Sequence, residues 1–76
     1  MNKALSLYRF QRAKETFEDA KILFAKNRLN STVNRLYYSL FYAILALLET
    51  KNLASSKHSG VRSLFNQHFV KTKLED

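Results

Sequence analysis

The 76-residue chain has no cysteine, no proline and a single glycine, Gly60. Without cysteine, disulfides and thiolate metal sites are excluded, which is compatible with a reducing cytoplasm. A sheet with many tight turns needs the glycine and proline this chain lacks, so the composition suits helices joined by short turns. Long apolar runs are also missing. The longest, from Leu36 to Leu48 and interrupted by Ser39, is thirteen residues, against the roughly 20 needed to cross a bilayer. The first residues become charged too early for the apolar stretch of a signal peptide. A single soluble, cytoplasmic domain over residues 1–76, with no membrane partner, is expected. A chain this short buries only about 60% of its unfolded surface, and small scaffolds usually need a staple. With none present, a homodimer or another partner surface is expected to supply the extra burial.

Acids are scarce too. Thirteen Lys and Arg stand against six Asp and Glu, a net charge of +7. Three of the acids, Glu15, Glu18 and Asp19, sit together early in the chain. From Lys21 to Lys73 the only acid is Glu49, against nine basic residues. The later part of the chain is therefore electropositive and suits a polyanion: RNA, a nucleotide or an acidic protein. The plain alternative is a solvated basic surface with no ligand.

Three helices are predicted, making an all-α, antiparallel bundle. The first runs from about Lys3 to Asn27, where Phe10, Ala13, Phe17, Ala20 and Phe24 share a face by their 3-4-3-4 spacing and are expected to form its core side. Asn27 to Asn30 is a turn: Asn27 suits a left-handed helix end, and Asn30 or Ser31 suits the next N-cap. So short a link favours a helical hairpin. The second helix, Ser31 to Thr50, carries two adjacent apolar stripes, Val33, Tyr37, Leu40, Ile44 and Leu47 beside Tyr38, Phe41, Leu45 and Leu48. An apolar surface that broad cannot be covered by one partner helix. After a loop at Lys51 to Ser55, a third helix capped by Ser55 or Ser56 is expected to reach Phe69 or Val70, with Val61, Leu64, Phe65 and Phe69 packed. Gly60 in its first turn weakens it or admits a close neighbour. The tail from Lys71 to Asp76 is polar and expected to fray.

The side chains that carry chemistry are few. Tyr37, Tyr38 and Tyr42 follow helical spacing with aliphatic residues and are read first as core, with base stacking as the alternative. Arg35 either snorkels to solvent, binds a phosphate or pairs with Glu15, Glu18 or Asp19 on the first helix. His58, Arg62 and Asn66 are spaced by four and share a polar, basic face. Lys57 stands beside them at the helix N-terminus, where anions are favoured. Arg35, Lys57, His58 and Asn66 are the candidate nucleotide or phosphate ligands. His68 leans towards the packed side and lies about 120° round a regular helix from Arg62. An Arg and a His together can cleave a phosphodiester without metal: the imidazole moves the proton of a 2′-hydroxyl, and the guanidinium stabilises the charge that builds on phosphorus. Two histidines lack the further ligands of a zinc site, there is no Gly-rich phosphate loop, and no metal or cofactor is expected.

The blocks RAKETFEDAK, NRLYYSLFYAILALLETK and SKHSGVRSLFNQHFVKT, within residues 8 to 73, resemble the HEPN domain of small prokaryotic proteins. The resemblance implies a helical bundle, often dimeric, and for many members a minimal nucleotidyltransferase partner in a toxin–antitoxin couple. It also implies, for the active ribonucleases, an Arg and a His separated by four to six residues and assembled across a dimer interface. Arg62 and His68 fit that spacing as the catalytic pair; Ser63 departs from the Asn, Asp or His usual after the Arg. Family members run for several more helical turns, so this chain is expected to be shortened and its fold incomplete relative to the family. The rival readings are a non-catalytic interaction or dimerisation domain and a truncated, inactive remnant.

Overall fold

The computed structural model describes residues 1–71, which form three helices and no strand. Helix α1 spans Lys3–Ala25, α2 spans Leu29–Thr50, and α3 spans His58–Phe65 and runs on through a π-helical turn at Asn66–Val70. Asn2 caps α1, its side chain accepting a hydrogen bond from the Leu5 N–H. Helices α1 and α2 are an antiparallel hairpin, as the short link requires.

Both long helices stop by the same device. Asn27 and Asn52 have φ of 60° and 57°, the left-handed region that Asn tolerates better than most side chains. The Asn27 N–H donates to the Phe24 carbonyl and the Arg28 N–H to that of Leu23; Asn52 and Leu53 repeat this on Glu49 and Leu48. These pairs satisfy carbonyls left open at a helix end, the Schellman arrangement. It also moves the start of α2. Arg28 closes α1 and serves at once as the N-cap of α2, with no side-chain cap bond, so the Asn30 or Ser31 cap expected from sequence is not used. At α3 the N-cap is Lys57 rather than Ser55 or Ser56, and Ser55 instead accepts the Lys57 N–H at 3.2 Å.

The seam between α1 and α2 is made of small residues. Ser6, Ala13 and Ala20 recur every seven residues on α1, and Thr32, Ser39 and Ala46 do so on α2. Run antiparallel, they meet in pairs. Ser6 Oγ donates to the Ala46 carbonyl at 3.0 Å, Ser39 Oγ donates to the Ala13 carbonyl at 2.8 Å, and Ala20 and Thr32 line one hollow. Thr16 and Thr32 are buried and satisfy their hydroxyls on carbonyls of their own helices, Arg12 and Arg28. Small side chains let two helix backbones approach closely. This corrects the expected core. Ala13 and Ala20 are buried, but Phe17 and Phe24 are 44% and 64% exposed. The rings flank the seam, where a two-helix contact has nothing to lay against them.

Helix α3 covers part of the far side of α2 through Val61, which is 2% exposed. Leu48, 1% exposed, is buried beneath the turn whose Leu53 N–H it receives. The apolar surface of α2 exceeds what α1 and α3 cover: Val33, Leu36, Tyr37 and Leu40 are all more than 40% exposed. No helix among the described residues is long and apolar enough to cross a membrane.

Candidate nucleic-acid interface between the second and third helices

Tyr37 and Phe41 lie one turn apart on α2, with near-parallel rings 6.1 Å apart. The first turn of α3 comes against them. His58 sits 4.5 Å from the Phe41 ring, and its Nδ1 is 3.4 Å from the Tyr37 hydroxyl. Four residues on, Arg62 joins Tyr37, Leu40, Phe41 and Ile44 in lining a small hollow. Lys57 is at the N-cap just before His58. From Thr50 through Leu74 the sequence has no acid, so Lys57 and Arg62 are not neutralised from their own segment.

The other candidates fall elsewhere. Arg35 lies about 200° round α2 from Tyr37, in a hollow shared with Asp19, Ile22 and Leu23 of α1. It donates to its neighbour Asn34 Oδ1 at 3.1 and 2.6 Å and lies over the Tyr38 ring at 5.2 Å. Of the acids offered as its partners, Glu15 pairs with Arg12 and Glu18 with Lys21, both at 3.0 Å within α1. Arg12 is held above its ordinary pKa by hydrogen bonding to Tyr42 and then to Glu15. Glu15 is held below its own by Gln11 and then Arg12. Asn66 lines a polar hollow with Ser63, Gln67 and Lys71, apart from the hollow of Arg62.

His68 lies inside the π turn and is partly buried. There the Lys71 N–H reaches back five residues to the Asn66 carbonyl, so the helix is locally wider. The 120° offset between Arg62 and His68 expected of a regular helix does not carry over. Such turns recur at functional sites. Lys51 ties this one to the end of α2: its Nζ donates to the His68 carbonyl at 3.2 Å and sits 4.6 Å from the Phe69 ring, which stacks on Phe65 at 5.5 Å. Arg62 thus faces the Tyr37–Phe41 side, while His68 sits one and a half turns on, beside Lys51.

The sequence reading missed the aromatic wall. Tyr37 and Tyr38, read first as core, are 49% and 37% exposed. The available signal was an aromatic pair at i, i+4 on a helix already too apolar for its partners, followed closely by a basic, acid-free segment.

A HEPN domain model matches residues 6–76. The chain is 56% identical over 62 residues to a protein of Thermotoga maritima named UPF0332 protein, covering 82% of this chain and 47% of the relative. Two proteins of Methanocaldococcus jannaschii, named "Putative toxin MJ0142" and "Putative toxin MJ0605", are 39% and 45% identical, covering 87% and 76% of this chain and 45% and 43% of theirs. The chain therefore spans a little under half the length of these curated relatives. No solved structure matches it.

Proposed function

Because the chain belongs to the HEPN domain family, we propose that it is an RNA-interacting module of a toxin-type system, with Arg62 and His68 as a metal-independent ribonuclease pair. The observation that carries the RNA reading is the basic, acid-free segment that begins α3 and sets Arg62 and His58 beside the exposed Tyr37 ring and the half-buried Phe41 ring. The relatives named "Putative toxin MJ0142" and "Putative toxin MJ0605" support the toxin-type setting. In the reaction, His68 takes the proton of a 2′-hydroxyl, the 2′-oxygen attacks phosphorus, and the 5′-oxygen leaves with a proton returned to it. Arg62 stabilises the charge on the pentacoordinate phosphorus. Arg62 lines the hollow against α2 and His68 lies in the π turn beside Lys51, so the proposed working site takes Arg62 from one copy and His68 from another. A minimal nucleotidyltransferase is the proposed partner.

The test is His68→Ala assayed on single-stranded RNA in the presence of a chelator, with helicity recorded on the same sample. Cleavage should fall by two orders of magnitude or more with helicity unchanged. A variant that loses helicity instead marks a packing histidine. A wild-type chain that cleaves nothing overturns the catalytic part.

A non-catalytic interaction domain is the second reading. It is favoured by the uncovered apolar surface at Phe17, Phe24, Leu36 and Leu40. A composite site needs at least a dimer, so a monomer in sedimentation equilibrium excludes it, and between two dimeric readings His68→Ala decides.

A further inference from the structure

We infer that the hollow between α2 and α3 receives one unstacked nucleobase of single-stranded RNA, with the adjoining phosphate on Arg62. This rests on the proposal that the chain binds RNA, and it names which part of the RNA is held and by what.

A nucleotide asks for two things at once: flat apolar surface for the base and a fixed cation for the phosphate beside it. The hollow supplies both. Leu40 and Ile44 give it aliphatic lining, Tyr37 and Phe41 add two rings, and Arg62 adds a guanidinium. Guanidinium planes and aromatic rings are the surfaces on which single-stranded bases stack. The wall is also held in place before any ligand arrives. Tyr37 is braced by Phe41, by the edge of Tyr38 at 5.3 Å and by His58 at its hydroxyl, yet about half of its surface stays open. An exposed ring with so little freedom left to lose favours binding. Charge selects the occupant: Arg62 lines the hollow, and the segment it belongs to has no acid to neutralise it. A packed helix from a protein needs an extended apolar strip, which this small hollow edged by the Arg62 guanidinium does not offer. Stacking is tolerant of base identity, so the site would fix one nucleotide's position without reading its sequence.

The experiment is equilibrium binding of a labelled single-stranded RNA across a salt series, for wild type, Tyr37→Leu and Arg62→Gln, with circular dichroism on each. Tyr37→Leu should weaken binding about tenfold, the order expected for one lost stack, with the slope of log K against log salt unchanged. Arg62→Gln should lower that slope by about 0.7, one phosphate on a single strand. On RNA carrying abasic residues, wild type and Tyr37→Leu should bind alike. Without any substitution, the Tyr37 and Phe41 ring-proton resonances should shift with adenosine monophosphate and not with inorganic phosphate. Equal RNA affinity of Tyr37→Leu and wild type overturns the inference and leaves RNA binding standing, as does a Tyr37→Leu effect confined to the monomer–dimer equilibrium. A wild-type chain that binds no RNA at low salt overturns both. Absent ring-proton shifts sink the base site even if Tyr37→Leu fails to fold.

Discussion

Along α2, the residues turned towards α1, Thr32, Ser39 and Ala46, are small and lie in hydrogen-bonded contact or beside a shared hollow. Those on the remaining faces, Val33, Leu36, Tyr37 and Leu40, are large and open to solvent. One helix thus has a finished side and an unfinished one. On the finished side, close approach is achieved with hydroxyls and methyl groups, and no buried side-chain oxygen or nitrogen among the described residues lacks a hydrogen bond. On the unfinished side, size and exposure coincide with the cations of α3. Stability and the proposed recognition therefore fall to different residues of the same helix, and substitutions should separate them.

The sharpest way to break this contrast is to enlarge a seam residue. Ala46 is 0% exposed and its carbonyl receives Ser6. Ala46→Leu must push the helices apart, and should cost about 3 kcal/mol, enough to unfold much of a chain whose total stability is of the order of 5 kcal/mol. Val33→Ala, on a side chain 66% exposed, should stay within about 0.5 kcal/mol. Urea titrations followed by circular dichroism read both. Equal losses would mean that the seam is not where the fold is held.

The same contrast explains what could be read from sequence. Periodicity locates the apolar side of a helix and gave the three helices, while the short link gave the antiparallel hairpin and residue type the left-handed Asn27. It ranks residues by hydrophobicity, whereas a close helix–helix seam selects by size. Phe10, Phe17 and Phe24 repeat every seven residues, as Ser6, Ala13 and Ala20 do, and lie only about 40° round the helix from them. Ala13 and Ala20, expected in the core, are buried, whereas Phe17 and Phe24, placed with them on the same stripe, are not. Asn52 repeats the signal of Asn27 as a Lys-Asn pair at a helix end, but was hidden inside a stretch read as loop. The π turn has no local signature, because one extra residue in a helical ladder leaves composition untouched. The candidate site was half legible. Arg62, His58 and Lys57 were named from type and spacing. Their alignment with Tyr37 and Phe41 depends on how the 51–57 connection returns to α2, which spacing cannot supply.

At the start of α3, Gly60 lies close against Ser55 of the preceding loop, and this contact can be tested by reversing a sign. A Cβ added at Gly60 would lie 2.8 Å from the Ser55 Cβ, closer still to its hydroxyl, and would disturb the bond from Lys57. Gly60→Ala should cost about 1–2 kcal/mol, the clash outweighing the roughly 1 kcal/mol of helix propensity that Ala brings. In a Ser55→Gly background the clash is gone, and the same change should stabilise. A cost unchanged by Ser55→Gly would mean that Gly60 is needed for something other than room. Within the seam, Ser39→Ala removes the 2.8 Å bond to Ala13 and leaves that carbonyl its helical position. A loss of about 0.5–1 kcal/mol is expected, less than for Ala46→Leu, because closeness rather than hydrogen bonding is the main requirement there.

The smallest effect belongs to the outer edge of α1, where Glu15 accepts from Gln11 at 3.2 Å and from Arg12 at 3.0 Å. These partners favour the carboxylate and hold its pKa below the ordinary 4.5. A carboxyl depressed in the folded state binds its proton more readily when unfolded, so it adds stability above its unfolded value. That contribution is lost as pH falls through the folded value. Wild type should therefore exceed Glu15→Gln in urea midpoint at neutral pH, and the gap should close as pH drops below the ordinary carboxylate range. The pair is open to water, so added salt should narrow the gap as well. A gap that survives both acid and salt would be steric or helical in origin, and would move Glu15 from the charged periphery to the packed side of the comparison.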